Sequence, residues 1–171
     1  MTEPEFQTNM RAAIEYAKKG MSVIPVTQDK KPLIKWKPYQ KGRASEEEIR
    51  SWFKKFPSAN IAIVTGEISN LLVIDCDTKE AIRQVQETIP ESLTVPCETT
   101  PRGGMHFFFS HSPGFSNRAG VAEGIDIRTE GGYVVVAPSV NGNSKHWEWV
   151  ISPLDADPPC IINNITDLFN S

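Results

Sequence analysis

The chain lacks most of the features that allow a quick assignment. Its three cysteines, Cys76, Cys97 and Cys160, are scattered over 171 residues with no C-x-x-C spacing. An odd, dispersed set supports neither a disulfide framework nor a structural zinc site, so each thiol reads as a small buried hydrophobe. No apolar run approaches the roughly 18 to 20 residues that cross a bilayer, and no membrane partner is expected. The opening residues, MTEPEFQTNM, are too acidic and polar for a secretory signal, and the expectation is a cytosolic protein. Internal repeats and low-complexity tracts are missing as well. Without G-x-G-x-x-G, the segment IVTG does not support a dinucleotide fold.

What is there is an ordinary globular composition, 39% hydrophobic and 23% charged, which suits one well-buried core and argues against wholesale disorder. The net charge of −3 conceals an imbalance. Residues 30–55 hold nine Lys and Arg against three Glu, while the rest of the chain holds nine basic and 18 acidic residues. A segregated basic segment suits a phosphate-rich partner. A plain solvated face has the same look.

Periodicity predicts four helices. Phe6, Met10, Ala13, Ile14 and Ala17 share a helical face that ends at Lys18-Lys19-Gly20. In SEEEIRSWFKKFP, Ser45 and Glu48 have capping-box spacing, and Ile49, Trp52, Phe53 and Phe56 line one side. TKEAIRQVQETIP is a third helix stopped by Pro90, and residues 161–169 form a short fourth. The strand candidates are MSVIPV, ANIAIVTG, LLVIDCD, LTVPCET, MHFFFS, GIDIRT, GYVVVAP and HWEWVI. A turn at Ser69-Asn70 joins the second to the third, and TQDKKPLIKWKPYQKG is a basic loop. Helices crowd the first half and a largely antiparallel sheet fills the second, an α+β layout.

The chemistry begins at LLVIDCD. Asp75 and Asp77 are two apart on a strand, so they share a face, roughly 6 to 7 Å apart at Cβ. Two carboxylates this close repel, and a divalent cation between them relieves the repulsion. Oxygen donors without imidazole or thiolate favour Mg²⁺ or Mn²⁺ over zinc; solvation at a strand end is the plainer alternative. TPRGGMHFFF sets Gly103 and Gly104 before His106 at a strand mouth, where backbone approaches a ligand closely. GIDIRTEGG adds Asp126 with Arg128 two residues on, either an ion pair or a third carboxylate beside a phosphate-binding guanidinium.

Taken in order, NIAIVTGEISNLLVIDCD, TPRGGMHFFF and GIDIRTEGGYVVVAPS resemble the primase–polymerase (prim-pol) domain of the archaeo-eukaryotic primase superfamily. KKPLIKW looks like a recurrent element of those domains, found in plasmid, phage and mobile-element replication proteins. The resemblance covers nearly the whole chain. It implies an RRM-like antiparallel catalytic sheet beside a smaller N-terminal α/β unit, divided near residue 60, within one domain over residues 1–171. It makes Asp75, Asp77 and Asp126 the holders of two Mg²⁺ or Mn²⁺ ions. His106 would contact the phosphates of a dNTP or NTP, with Arg128, Arg102, Gly66 and Gly104 as further nucleotide contacts. Lys31, Lys35 and Trp36 fall to the single-stranded DNA template and primer. The zinc-binding stem of some relatives is not expected, for want of cysteines. The helical-bundle priming domain and the helicase of many relatives have no counterpart before Ser171.

Two rival readings stand beside it. VIDCDT fits the hhhDxDxT signature of haloacid-dehalogenase-type phosphatases, with Asp75 as nucleophile, Asp77 as general acid and Thr78 in place. Those enzymes need a parallel sheet of alternating strands and helices. A non-catalytic binder of single-stranded nucleic acid would rest on the basic segment with Trp36, Tyr39 and Trp52. Such a binder has no use for three convergent acids.

Overall fold

Side-chain caps start two of the helices. Ser45 accepts a hydrogen bond from the Glu48 N–H at 3.1 Å and opens α2 (Glu46–Lys55), and Thr78 does the same for Ala81 at 3.1 Å to open α3 (Lys79–Thr88). The capping box is half formed, because the Glu48 carboxylate turns to accept from the Tyr39 hydroxyl at 2.6 Å. That contact ties the basic loop to α2. Helix α1 (Glu5–Lys18) and the short α4 (Asn163–Asp167) lie where periodicity placed them. The computed structural model describes residues 5–169; the MTEP opening, the Phe6 side chain of the expected helix face and the last two residues lie outside the described residues. Among the described residues no helix is long and apolar enough to cross a membrane.

The strands form two sheets, and every ladder in both is antiparallel. β1 (Ser22–Val26), β2 (Asn60–Val64) and β8 (Tyr133–Val135) make the smaller, in the order β1-β2-β8. The larger comprises β3 (Leu72–Cys76), β4 (Cys97–Thr99), β5 (Met105–Phe109), β6 (Arg118–Ala122), β7 (Ile125–Arg128) and β9 (Glu148–Ile151), in the order β6-β7-β3-β5-β4-β9. At its centre β3, α3 and β4 form a split β-α-β unit with β5 inserted between the two strands and β7 on the outer flank of β3. That is the RRM-like order. The phosphatase reading of VIDCDT fails here, because its strand sits inside a wholly antiparallel sheet.

Two details depart from the strand pattern. LTVPCET contributes only three residues of strand, and β6 carries no strand signal, since RAGVA is small and glycine-bearing. The small sheet also takes β8 from late in the chain. The turn at Ser69-Asn70 carries the chain from the small sheet to the large one, held by a paired exchange of backbone hydrogen bonds between Gly66 and Leu71.

Three apolar clusters fill the layers. Ile49, Trp52 and Phe53 of α2 and Ala13, Ile14 and Tyr16 of α1 meet Ile61, Ile63, Val73 and Phe108. On the other side of the large sheet Leu72, Ile74, Cys76, Phe107, Phe109 and Ile127 pack against Ala81 and Val85 of α3 and Ile165 of α4. The third cluster, with Ile24, Val64, Val135 and Trp147, covers the far face of the small sheet. Alternation along β3 thus gives Leu72, Ile74 and Cys76 to the helix-covered core and leaves Asp75 on the face turned toward the small sheet.

Candidate functional site

Register builds the site. β4, β5, β3 and β7 set Glu98, His106, Asp75 and Asp126 opposite one another along a single rung of the large sheet. Directly opposed residues stand about 4.5 to 5.5 Å apart at Cβ, so the four are immediate neighbours along the rung. Where the rung meets the small sheet there is an open cleft of about 330 Å³, lined by Lys30, Asp75, His106, Asn117, Arg128 and the Gly131–Val135 stretch, with Trp147 at its wall.

His106 is nearly enclosed, with 7% of its side chain exposed. Its Nδ1 lies 2.7 Å from Oε2 of Glu98, and its Nε2 lies 3.5 Å from Oδ1 of Asp75. Burial pulls the imidazole down, but the hydrogen bonds and charges of Asp75 and Glu98 win and push it up to about 9. The two carboxyl groups therefore favour the protonated ring. Burial raises the Asp75 carboxyl, yet His106, Arg128 and Lys30 more than offset this and hold it below the usual carboxylate range. Glu98 is pushed up by complete burial, against the pull of His106 and of the Ala137 N–H.

Asp77 lies one residue past the end of β3 and is exposed. Partial burial and then the charges of Asp75 and Asp126 raise its carboxyl, so Asp77 lies within the field of both other acids. Asp126 accepts from the Gly120 N–H at 2.7 Å and from Arg128 at 3.2 Å, so the ion pair, one of the two readings of their spacing, is formed. Three mutually repelling, oxygen-only donors are the right chemistry for a hard divalent cation. They are not pre-gathered into a cage: among the described residues no three His, Cys, Asp or Glu side chains are drawn tightly enough together to hold an ion.

The remaining predicted residues are spread more widely. Arg102 is exposed in the turn before β5. Gly104 is demanded by protein packing, since a Cβ there would stand 2.5 Å from the Cys76 carbonyl and 2.9 Å from Thr100 Oγ1. Gly66, at φ +96°, leaves room for the Glu130 side chain, whose Cδ would lie 2.7 Å from an added Cβ. Lys31 and Lys35 are exposed on the basic loop, whereas Trp36 is half-buried and packs edge-on to Tyr133, ring centroids 5.1 Å apart. Three site residues escaped the sequence reading: Glu98, Lys30 and Asn117. Only the alternation of CET hinted at Glu98, and nothing separated Lys30 from its lysine neighbours. Its distinction is conformational, a left-handed backbone at φ 68° that turns the residue into the cleft.

The site thus combines acids on the open face of an antiparallel RRM-like sheet with basic side chains around the adjoining cleft. Residues 13–164 match the family model described as the N-terminal domain of bifunctional DNA primase/polymerase, and the chain belongs to that Prim-Pol family. Comparison with curated proteins gave no match. Membership assigns the domain a general DNA primase/polymerase role.

Proposed function

We propose that this domain performs template-directed nucleotidyl transfer, adding dNTPs or NTPs to a primer 3′-hydroxyl on a single-stranded DNA template. The observation that carries the reading is the rung on which Asp75 faces Asp126, beside a cleft flanked by Lys30, His106 and Arg128. Acids alone would suit a metal and cations alone a phosphate. A triphosphate bound with divalent ions needs both within reach.

Asp75, Asp77 and Asp126 are the residues to hold Mg²⁺ or Mn²⁺, which when bound would supply charge neutralisation at the triphosphate and activation of the attacking hydroxyl. The protein's own cations do the positioning. Nε2 of His106 donates into the cleft, Arg128 offers a planar fork, and Lys30 a mobile point charge. Lys31, Lys35 and Trp36 are where template or primer would run along the basic loop. Replication of a plasmid, phage or mobile element is the setting, with a helical-bundle priming domain and a helicase as partners.

The test is extension of a labelled primer on a DNA template with dNTPs or NTPs and Mg²⁺ or Mn²⁺. Metal-dependent extension that disappears in Asp75→Ala/Asp77→Ala supports the reading. Extension by the double variant at the wild-type rate refutes the site. A folded wild-type protein that binds single-stranded DNA but never extends a primer favours a binding module.

A further inference from the structure

Glu98 lies two strands from Asp75 on the same rung, fully buried. A carboxyl group at that depth is costly unless donors hold it. Its contacts come from two directions: the Ala137 N–H beyond β8 reaches Oε1 at 2.8 Å, and Nδ1 of His106 meets Oε2 at 2.7 Å. Phe108 touches the imidazole only edge-on, with ring centroids 6.3 Å apart, and an edge contact cannot select which nitrogen carries hydrogen.

We propose that Glu98 is the positioning residue of this site, fixing the plane and tautomer of His106 so that Nε2 carries a hydrogen and presents it to the cleft. Nε2 carries a hydrogen wherever the shared proton resides. With Glu98 ionised, Nδ1–H donates to it, and Nε2, facing the Asp75 carboxylate at 3.5 Å, carries hydrogen as well. With Glu98 protonated, its O–H donates to Nδ1, and the neutral ring keeps its single hydrogen on Nε2. Neither state turns an Nε2 lone pair toward the cleft, where it would repel a phosphate oxygen. This deepens the proposed nucleotide reading and rests on it for the ligand's identity.

The experiment compares Glu98→Gln and Glu98→Leu, each alone and combined with His106→Asn, whose amide nitrogen stands in for Nδ1 and has no Nε2. The readouts are the ¹⁵N spectra of the imidazole and calorimetric binding of dATP with Mg²⁺. In Glu98→Gln the amide oxygen takes the Ala137 N–H and its NH₂ donates to Nδ1, so Nε2 should keep its hydrogen and affinity should stay within about threefold of wild type. Glu98→Leu should release Nδ1 and with it the ring plane, so that the spectra show hydrogen shared between the two nitrogens rather than fixed on Nε2. It should also weaken dATP about tenfold, the scale of one charge-assisted hydrogen bond. In the His106→Asn background it should cost nothing further. An unchanged tautomer in Glu98→Leu, or an equal loss with and without His106, overturns the proposal. Should Glu98→Leu not fold, a Glu98→Gln ring with its hydrogen on Nδ1 alone overturns it. Failure of wild-type protein to bind dATP would refute the nucleotide reading instead, and the imidazole spectra would still decide the role of Glu98.

Discussion

Replacing Lys30 with glycine should separate stability from function. Its backbone sits at φ 68°, where a side chain costs about 1 to 2 kcal/mol that glycine does not incur. Against that relief stand two losses. Glycine is freer in the unfolded chain by about 0.5 to 1 kcal/mol. The ammonium, 5.9 Å from the Trp147 ring centroid, gives up a cation–π contact of about 0.5 to 1 kcal/mol at an exposed site. The Lys30 carbonyl survives the change, so the Tyr133 hydroxyl keeps its acceptor at 2.8 Å. These contributions nearly cancel, and urea unfolding should place Lys30→Gly within about 1 kcal/mol of wild type. The cleft, however, loses one of the three cations beside Asp75. If Lys30 grips a phosphate, the nucleotide KM should rise about ten- to a hundredfold, the range for one charge-assisted hydrogen bond. Lys31→Gly, one residue away and exposed, should leave nucleotide KM unchanged and reduce the salt dependence of DNA binding by about one counterion. A destabilised Lys30→Gly with unaltered KM would refute both halves of the reasoning.

Asp126→Asn should retain the fold and lose primer extension, because the amide keeps an acceptor for the Gly120 N–H but lacks the charge; extension at the wild-type rate would remove Asp126 from the site. Gly104→Ala should destabilise by about 1 to 3 kcal/mol, the usual cost of forced overpacking, since its Cβ meets the Cys76 carbonyl at 2.5 Å; an unchanged urea midpoint would contradict that contact. The pH dependence follows from His106, whose folded value of about 9 lies above its ordinary 6.5. Its contribution to stability is complete below pH 6.5 and declines as pH rises through 9, so wild-type urea midpoints should fall across that window. His106→Asn should flatten the decline.

The parts of this site that a sequence could reveal were those carried by local pattern. Asp75 comes near the end of an apolar strand, Asp126 stands two residues before Arg128 in the alternation of IDIR, and His106 follows a glycine pair, so each announces itself within a few residues. The capping of α2 was legible for the same reason, through Ser45 and the Glu48 N–H. Its reciprocal half was not, because Tyr39 from the preceding loop captures the Glu48 carboxylate. Glu98 was hidden by distance: it becomes meaningful only when β5 lies between β3 and β4 and brings His106 against it. Lys30 is one of nine basic residues in its segment, and only the left-handed bend singles it out. Gly66 and Gly104 were expected to serve a ligand, and their small size is already accounted for by Glu130 and by the end of β3.

Burial along the rung explains why the acids gather at one end. Glu98 is wholly enclosed and its oxygens are taken by the protein, His106 is 7% exposed, and Asp75 and Asp126 are each 19% exposed. Asp77 stands in solvent just past the strand. A charge placed at the closed end must be neutralised internally, which is what the pairing of Glu98 and His106 achieves. At the open end Asp75 is held ionised by His106, Arg128 and Lys30, while Asp77 is raised by partial burial and then by the acids beside it. Unlike the buried pair, that end keeps carboxylate charge that its own cations do not fully answer. Adding Mg²⁺ or Mn²⁺ should therefore lower the Asp77 carboxyl toward or below its ordinary value, which ¹³C titration of the carboxylates would read directly. If Asp77 titrates identically with and without the ion, the open end of the rung is a solvated strand terminus and the acids hold no metal.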